Sequence, residues 1–206
     1  MPKPVEYRTY QPDSVVAFRK TNERFGGLSN MAPGLPLQIN DQFVRTSEAL
    51  YQACRYPHLP EVQKLILTQS SPMTAKMYAR KYLQQSRPDW ESVRLAVMRW
   101  CLRAKLLQNQ TTFGELLLAT GQLPIVEYSA KDDFWGAKQN ADGDLVGRNV
   151  LGRLLMELRE NYRLNELNLL SLAPLNIRCF ALLGEPIAEL KLQEQHQQQM
   201  FIAESW

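Results

Sequence analysis

Apolar positions run in short alternating stretches near the start of the chain and take up helical spacing through its middle. VVAFRK from Val15 reads as a strand. LPLQINDQFVRT from Leu35 sets Asn40-Asp41 between two short apolar runs, which predicts a hairpin. Thr46-Ser47-Glu48 offers a helix cap before ALYQACRY, and Pro57 ends that helix because the residue before proline avoids the α region. A short helix is expected from Pro60 to about Thr68. Ser71-Pro72 repeats the start signal for MTAKMYARKYL, where Lys76 and Arg80 share one face, as do Met73 and Met77.

SRPDW opens the longest helix, with Trp90, Val93, Val97, Cys101 and Ala104 on one face. Thr111 to Thr120 predicts an amphipathic helix closed by Gly121, and PIVE from Pro124 a short buried strand. Residues 127 to 147 are irregular and polar between well-packing neighbours, the kind of loop on which function usually lies. A further helix is expected from Gly147, with Val150, Leu151, Leu154, Leu155 and Leu158 as its apolar face. Beyond Leu164 the pattern predicts a strand and a short helix, then a polar, glutamine-rich helix or tail over the last 20 residues. The β content is expected mostly near the N-terminus.

Composition narrows the classes. The chain has 206 residues, 45% apolar and 22% charged, enough for one globular domain with an appendage. No stretch approaches the ~20 apolar residues of a membrane span, and the first ten residues lack a signal-peptide run, so the expected location is the cytoplasm. Cys54, Cys101 and Cys179 are odd in number and widely spaced, which predicts buried free thiols. His58 and His196 have no partner at ligand-like spacing, so neither a metal nor a cofactor is expected. The net charge is +3, with Arg87, Arg94, Arg99, Arg103 and Lys105 gathered in one stretch. Such a stretch is either the wet face of a helix or a site for a phosphate-bearing partner.

Chemistry must then come from carboxylates, lysines and backbone. Glu48 lies in a helical first turn, where the macrodipole favours a carboxylate and where capping alone also explains it. Glu127, Asp132 and Asp133 lie beside Trp135-Gly136, so acid, aromatic platform and pliable backbone occur together. An N-glycosidic cleavage wants an anion near an oxocarbenium-like state and a donor for the departing base. Equally, this is what a solvated acidic loop looks like. Gly147-Arg148-Asn149 at a helix start exposes amides that suit a phosphate, and Lys76 and Arg80 are alternative phosphate contacts. Lys76 is also a candidate amine nucleophile if buried. Trp90 and Trp100 are core or stacking residues. No serine or cysteine nucleophile has a visible histidine partner.

FGGLSNMAP from Phe25, TSEALYQACRY from Thr46, SPMTAKMYAR from Ser71, RPDW from Arg87, VMRWCLRAKL from Val97, LLLATGQLPIVEYSAKDDFWG from Leu116 and GRNVLGRLLMELR from Gly147 occur in series. In that order they resemble the NADAR, or YbiA-like, family from about Val16 to Arg159. The resemblance implies a mainly helical α+β domain over residues 1–164, with small N-terminal β elements and a C-terminal extension over 165–206. It implies metal-free N-glycosidic cleavage of ADP-ribosylated guanine in nucleic acid, reversing a toxin-like modification, or of a phosphoribosyl aminopyrimidine of riboflavin biosynthesis. Carried over by position, Glu48, Lys76 and Asp132 are the catalytic candidates. Ser29, Asn30, Trp90, Glu127, Trp135, Gly136, Asn149 and Gly152 are the substrate-binding ones.

Of three departures, those at Lys138 and Gly26-Gly27 bear on which base is accepted, and that at Ala49 means that no imidazole there is essential. Ala49 stands where many members carry histidine, Lys138 where a second glycine occurs, and Gly26-Gly27 loosens the loop before Ser29-Asn30. The expected partners are an ADP-ribose-containing or phosphoribosyl small molecule, ADP-ribosylated DNA or RNA, and a cognate ADP-ribosyltransferase in the same pathway. The basic stretch and the C-terminal segment favour the guanine adduct. A module that binds ADP-ribose or nucleic acid without cleaving it is the competing class.

Overall fold

Short strands and six helices alternate along residues 6–192, the part of the chain that the computed structural model describes. In chain order the first half carries β1 (Arg8–Tyr10), β2 (Val16–Phe18), β3 (Leu37–Ile39), β4 (Gln42–Val44), α1 (Ser47–Ala53), α2 (Pro60–Leu67), α3 (Pro72–Lys81) and α4 (Trp90–Gln108). The second carries α5 (Glu115–Leu118), β5 (Ile125–Glu127), β6 (Lys138–Gln139), β7 (Leu145–Gly147), α6 (Val150–Arg163), β8 (Ser171–Leu172), β9 (Ala181–Leu182), β10 (Glu185–Pro186) and β11 (Leu190–Lys191). The fold class is mixed α+β, as expected. The chain divides into two units, Met1–Leu35 with Thr111–Glu166, and Pro36–Gln110 with Leu167–Trp206.

In the first unit β2 and β5 pair in parallel, Val16 opposite Ile125 and Phe18 opposite Glu127. An antiparallel sheet in the order β1-β7-β6 orders part of the stretch read as irregular. Helix α6 packs on β5. The closeness of that packing explains Gly152, because a Cβ there would meet the Ile125 carbonyl oxygen. Buried Arg159 ties the same helix to the 120–123 turn, donating from Nη1 to Thr120 Oγ1 and the Leu123 carbonyl, both at 2.8 Å.

In the second unit the hairpin forms as predicted. Asn40 and Asp41 take φ of 48° and 60°, the left-handed pair that a tight antiparallel turn requires. Helices α1, α2 and α3 pack on one another, helped by fully buried Ala75 and Ala79 on α3. Tyr56 donates its hydroxyl to the Ala79 carbonyl at 2.6 Å, and Gln63 donates to the Ala53 and Ala181 carbonyls while accepting from the Leu183 amide. Strands β8 and β11 pair, as do β9 and β10. Trp100 Nε1 donates to the Ala173 carbonyl at 2.8 Å and the ring meets Phe180 edge-on, so Trp100 is a core residue.

Several expectations change. Helix α1 stops at Ala53, short of Pro57, and α6 starts at Val150 because Asn149 adopts a left-handed conformation. A π-helical turn at Gln110–Gly114 leaves only a four-residue α5 in place of the longer helix. No short helix forms after Leu164 among the described residues, and the strands are spread along the chain, not gathered near its start. Most of the expected terminal tail, residues 193–206 with His196, lies outside the described residues. Cys54 and Cys101 are buried free thiols, whereas Cys179 is exposed. No described helix is long and apolar enough to cross a membrane.

The basic stretch is not one face. Arg87 is buried and bidentate on Asp89, at 2.6 and 3.0 Å, with a further bond to the Arg178 carbonyl. The C-terminal half of α4 is buried on most sides, against β3 and β8 among others, and it takes Lys105 with it, 1% exposed. Burial alone lowers the Lys105 ammonium from 10.5 to about 7. Between those two values the unfolded chain holds a proton that the folded chain does not, so folding stability rises with pH across that window and is penalised by a constant amount below it. Urea unfolding from pH 7 to 10 is expected to show this as a slope of up to ~1.4 kcal/mol per pH unit, which Lys105→Met removes.

Candidate active site

Thr46 caps α1 by accepting the Ala49 amide on Oγ1 at 3.3 Å. Ser47 through Ala53 are all buried, and Glu48 is only 5% exposed. Its carboxylate does not reach back to the cap. Instead Oε1 accepts from Gln52 Nε2 at 3.0 Å and lies 3.4 Å from Lys76 Nζ of α3. A buried carboxylate costs several kcal/mol unless it is neutralised, and here the amide, the ammonium and the positive end of α1 do so together. Capping therefore does not account for Glu48. Both of these side-chain contacts fall on Oε1.

The neighbouring side chains are aromatic, cationic and sulfur-bearing. Tyr51 packs against Trp90 with ring centroids 5.1 Å apart, and the Arg55 guanidinium stands 5.2 Å from the Trp90 centroid. Burial, reinforced by the Glu48 charge, holds the Tyr51 phenol well above its ordinary range, so it keeps its proton. Cys101 is in hydrogen-bond contact with Cys54, and burial, that contact and the charge of Glu48 push its thiol up. Trp90 is buried at the helix start, where it supports α1. Lys76 retains 31% of its side-chain surface, so it is not a desolvated lysine; it stands at the solvent side of the carboxylate.

Sequence reading missed Tyr51 and Gln52. Their spacing of three and four from Glu48 was the available signal, since those positions share its helix face.

In the first unit the loop after β5 is fastened onto the start of α6. Ser129 Oγ accepts the Lys131 and Asp132 amides, and Asp132 Oδ1 accepts the Phe134 and Trp135 amides at 3.0 and 2.9 Å. The loop carbonyls then receive the helix-start amides: Arg148 to Asp133 at 2.7 Å, Asn149 to Gly136, Val150 to Phe134 and Leu151 to Trp135, each at 3.0 Å. The helix-start phosphate site expected at Gly147-Arg148-Asn149 is not formed as expected, because the Arg148 and Asn149 amides are already bonded to loop carbonyls. The fully buried Asn149 side chain clamps β5, accepting the Glu127 amide at 3.1 Å and donating to the Ile125 carbonyl at 2.8 Å.

Gly136 lies against the Glu127 carbonyl, where a Cβ would collide. Asp133 pairs with Lys138 at 2.7 Å, which holds its carboxyl below the usual range. Trp135 is half-buried and meets Phe134 edge-on. Ser29 and Asn30 are buried, and Ser29 Oγ accepts the Met31 amide at 3.2 Å. Of the predicted site residues, Glu48, Lys76 and Trp90 thus belong to the second unit. Asp132, Glu127, Trp135, Gly136, Asn149, Gly152, Ser29 and Asn30 belong to the first.

The NADAR domain model matches residues 17–163. The chain is 36% identical to the N-glycosidase YbiA of Escherichia coli (strain K12) over 151 residues, 72% of this chain and 88% of that protein. It is 37% identical to a riboflavin biosynthesis protein of Vibrio vulnificus (strain YJ016) over 145 residues, 70% of this chain but 38% of the relative's length. Among solved structures, the NMR structure of the E. coli protein YbiA aligns with a TM-score of 0.63 at 35% identity, covering 76% of this chain and 89% of that one.

The structural role of Asp132 and the catalytic role expected of it are separable. Asp132→Ala, which removes the acceptor for two amides, is expected to lower stability by ~1–2 kcal/mol. Asp132→Asn, which keeps an oxygen in place, should leave the urea midpoint nearly unchanged. Any loss of activity in the asparagine variant then measures the carboxylate charge alone.

Proposed function

The chain belongs to the NADAR family, and on that footing we propose that it is an N-glycosidase whose reaction centre is built on Glu48 and Lys76. The observation that carries this reading is the buried Glu48 carboxylate, held on one oxygen by Gln52 and Lys76. In hydrolysis a water oxygen bonds to the anomeric carbon as the carbon–nitrogen bond to the base breaks. The water proton passes to Glu48, and the departing base takes up a proton at its nitrogen. The same anion stabilises the oxocarbenium-like state between. For Lys76, at the solvent side of the carboxylate, the proposed role is to protonate the departing base; the alternative of attack on the anomeric carbon asks for a desolvated amine, which its 31% exposure does not favour. Asp132 is the third proposed catalytic group, and Ser29, Asn30, Trp90, Glu127, Trp135 and Gly136 the proposed substrate contacts. For Asn149 and Gly152 the proposed contribution is indirect, through the packing of α6 on β5.

We further propose ADP-ribosylated guanine, in nucleic acid or as a nucleotide, as the substrate, with a cognate ADP-ribosyltransferase making the adduct. The name of the Vibrio relative favours a second reading, a phosphoribosyl aminopyrimidine. Burial of Arg87 and Lys105 also removes two of the five charges that favoured nucleic acid.

Incubation with guanine-ADP-ribosylated DNA and, separately, with the phosphoribosyl aminopyrimidine decides between them by which is cleaved, read as free ADP-ribose from the first or free aminopyrimidine from the second. Glu48→Gln is expected to lower the productive rate by ~10²-fold or more. Unchanged release by that variant removes Glu48 from the chemistry. A borohydride-trapped adduct on Lys76 during turnover assigns the attack to lysine; its absence assigns it to water.

A further inference from the structure

We propose that the outer face of α3 is a docking surface for the phosphate backbone and bases of a single nucleic-acid strand, next to the Glu48 centre. The proposal rests on the N-glycosidase reading for its location and on α3 for its substance. From Val62 to Pro88 the chain contains Lys64, Lys76, Arg80, Lys81 and Arg87 and not one aspartate or glutamate. Arg87 is buried and paired with Asp89, which leaves the cations of α2 and α3 as the charge of that segment. Three of them lie on α3, and Lys76 reaches Glu48 from it.

The same helix exposes its largest apolar side chains. Met73 is 64% and Met77 51% exposed, one helical turn apart, and exposed Arg80 continues the stripe. The opposite face, Ala75 and Ala79, is buried, so the methionine stripe is not a core face left open by chance spacing. Lys81 is held over the Tyr78 ring, 4.5 Å from its centroid, so this end of the helix adds an aromatic to the cations. Cations that track phosphates, interleaved with polarisable side chains on which flat bases rest, are what a sequence-tolerant strand-binding surface needs. Charge complementarity selects a polyanion, and the apolar stripe between the charges selects one with stackable faces.

Binding is read with the full chain and a fluorescein-labelled, unmodified single-stranded DNA, by anisotropy across a salt series. Arg80→Ala/Lys81→Ala is expected to weaken binding about tenfold. It should also reduce the salt slope by about 1.4, since each single-strand phosphate contact contributes about 0.7. Met77→Ser should weaken binding at unchanged slope. The control Lys20→Ala/Arg24→Ala changes neither.

In turnover, Lys81→Ala alone loses kcat/KM on ADP-ribosylated guanine within an oligonucleotide and keeps it, within about twofold, on free ADP-ribosylated guanosine. Unchanged DNA affinity and slope in the Arg80/Lys81 variant overturn the proposal. So does equal affinity of the wild type for poly-glutamate, which assigns the face to an acidic protein. A wild type that cleaves neither substrate but loses DNA binding on mutation refutes the N-glycosidase reading and leaves this surface standing. Cleavage with normal DNA binding by the variants does the reverse.

Discussion

A carboxylate withdrawn from water must be repaid within hydrogen-bond reach, and the second unit is arranged around that demand. Glu48 sits in the first turn of a helix whose every residue is buried, so hydration cannot stabilise its charge. Gln52 on the same helix and Lys76 on the next supply what solvent does not, and the ion pair fixes α3 relative to α1 through its functional groups as well as through Ala75 and Ala79. The seven-residue length of α1 follows from the same demand. It is long enough to bring Gln52 one turn above Glu48, and it ends before Pro57 imposes its own geometry.

In the first unit a different constraint leads. Helix α6 begins with amides that have no partner within the helix, and the 133–136 carbonyls meet them. Asp132 and Ser129 shape that loop from within, and Asn149 fastens β5 to the helix start. The left-handed conformation of Asn149 is the cost of turning β7 into α6 while its side chain points back into the strand pair.

Local signals were legible in the sequence. Asn40-Asp41 marked the hairpin, Thr46 the cap, Ser71-Pro72 and Pro60 the helix starts, and the spacing from Trp90 to Ala104 the buried side of α4. Glu48, Lys76 and Asp132 were picked out, but what each touches was not, since Glu48 and Lys76 meet only through tertiary packing. Facts that depend on three-dimensional neighbours stayed hidden. Lys105 and Arg87 read as wet charges because a helical wheel does not show that α4 is packed on several sides. The amides at Gly147-Arg148-Asn149 read as an anion site because nothing local says that the 133–136 carbonyls have already taken those of Arg148 and Asn149. Cys179 read as buried from its apolar sequence neighbours, but it stands exposed with a left-handed φ of 50°.

The fastening of that loop to α6 has a consequence for motion. Four consecutive amides, Arg148 to Leu151, end on carbonyls of residues 133–136, so the loop cannot lift without stripping the first turn of a fourteen-residue helix. Loop and helix start therefore open as one cooperative element, with a single opening free energy shared by their amides. A segment joined in that way holds one shape in advance and is not free to mould itself around a neighbour.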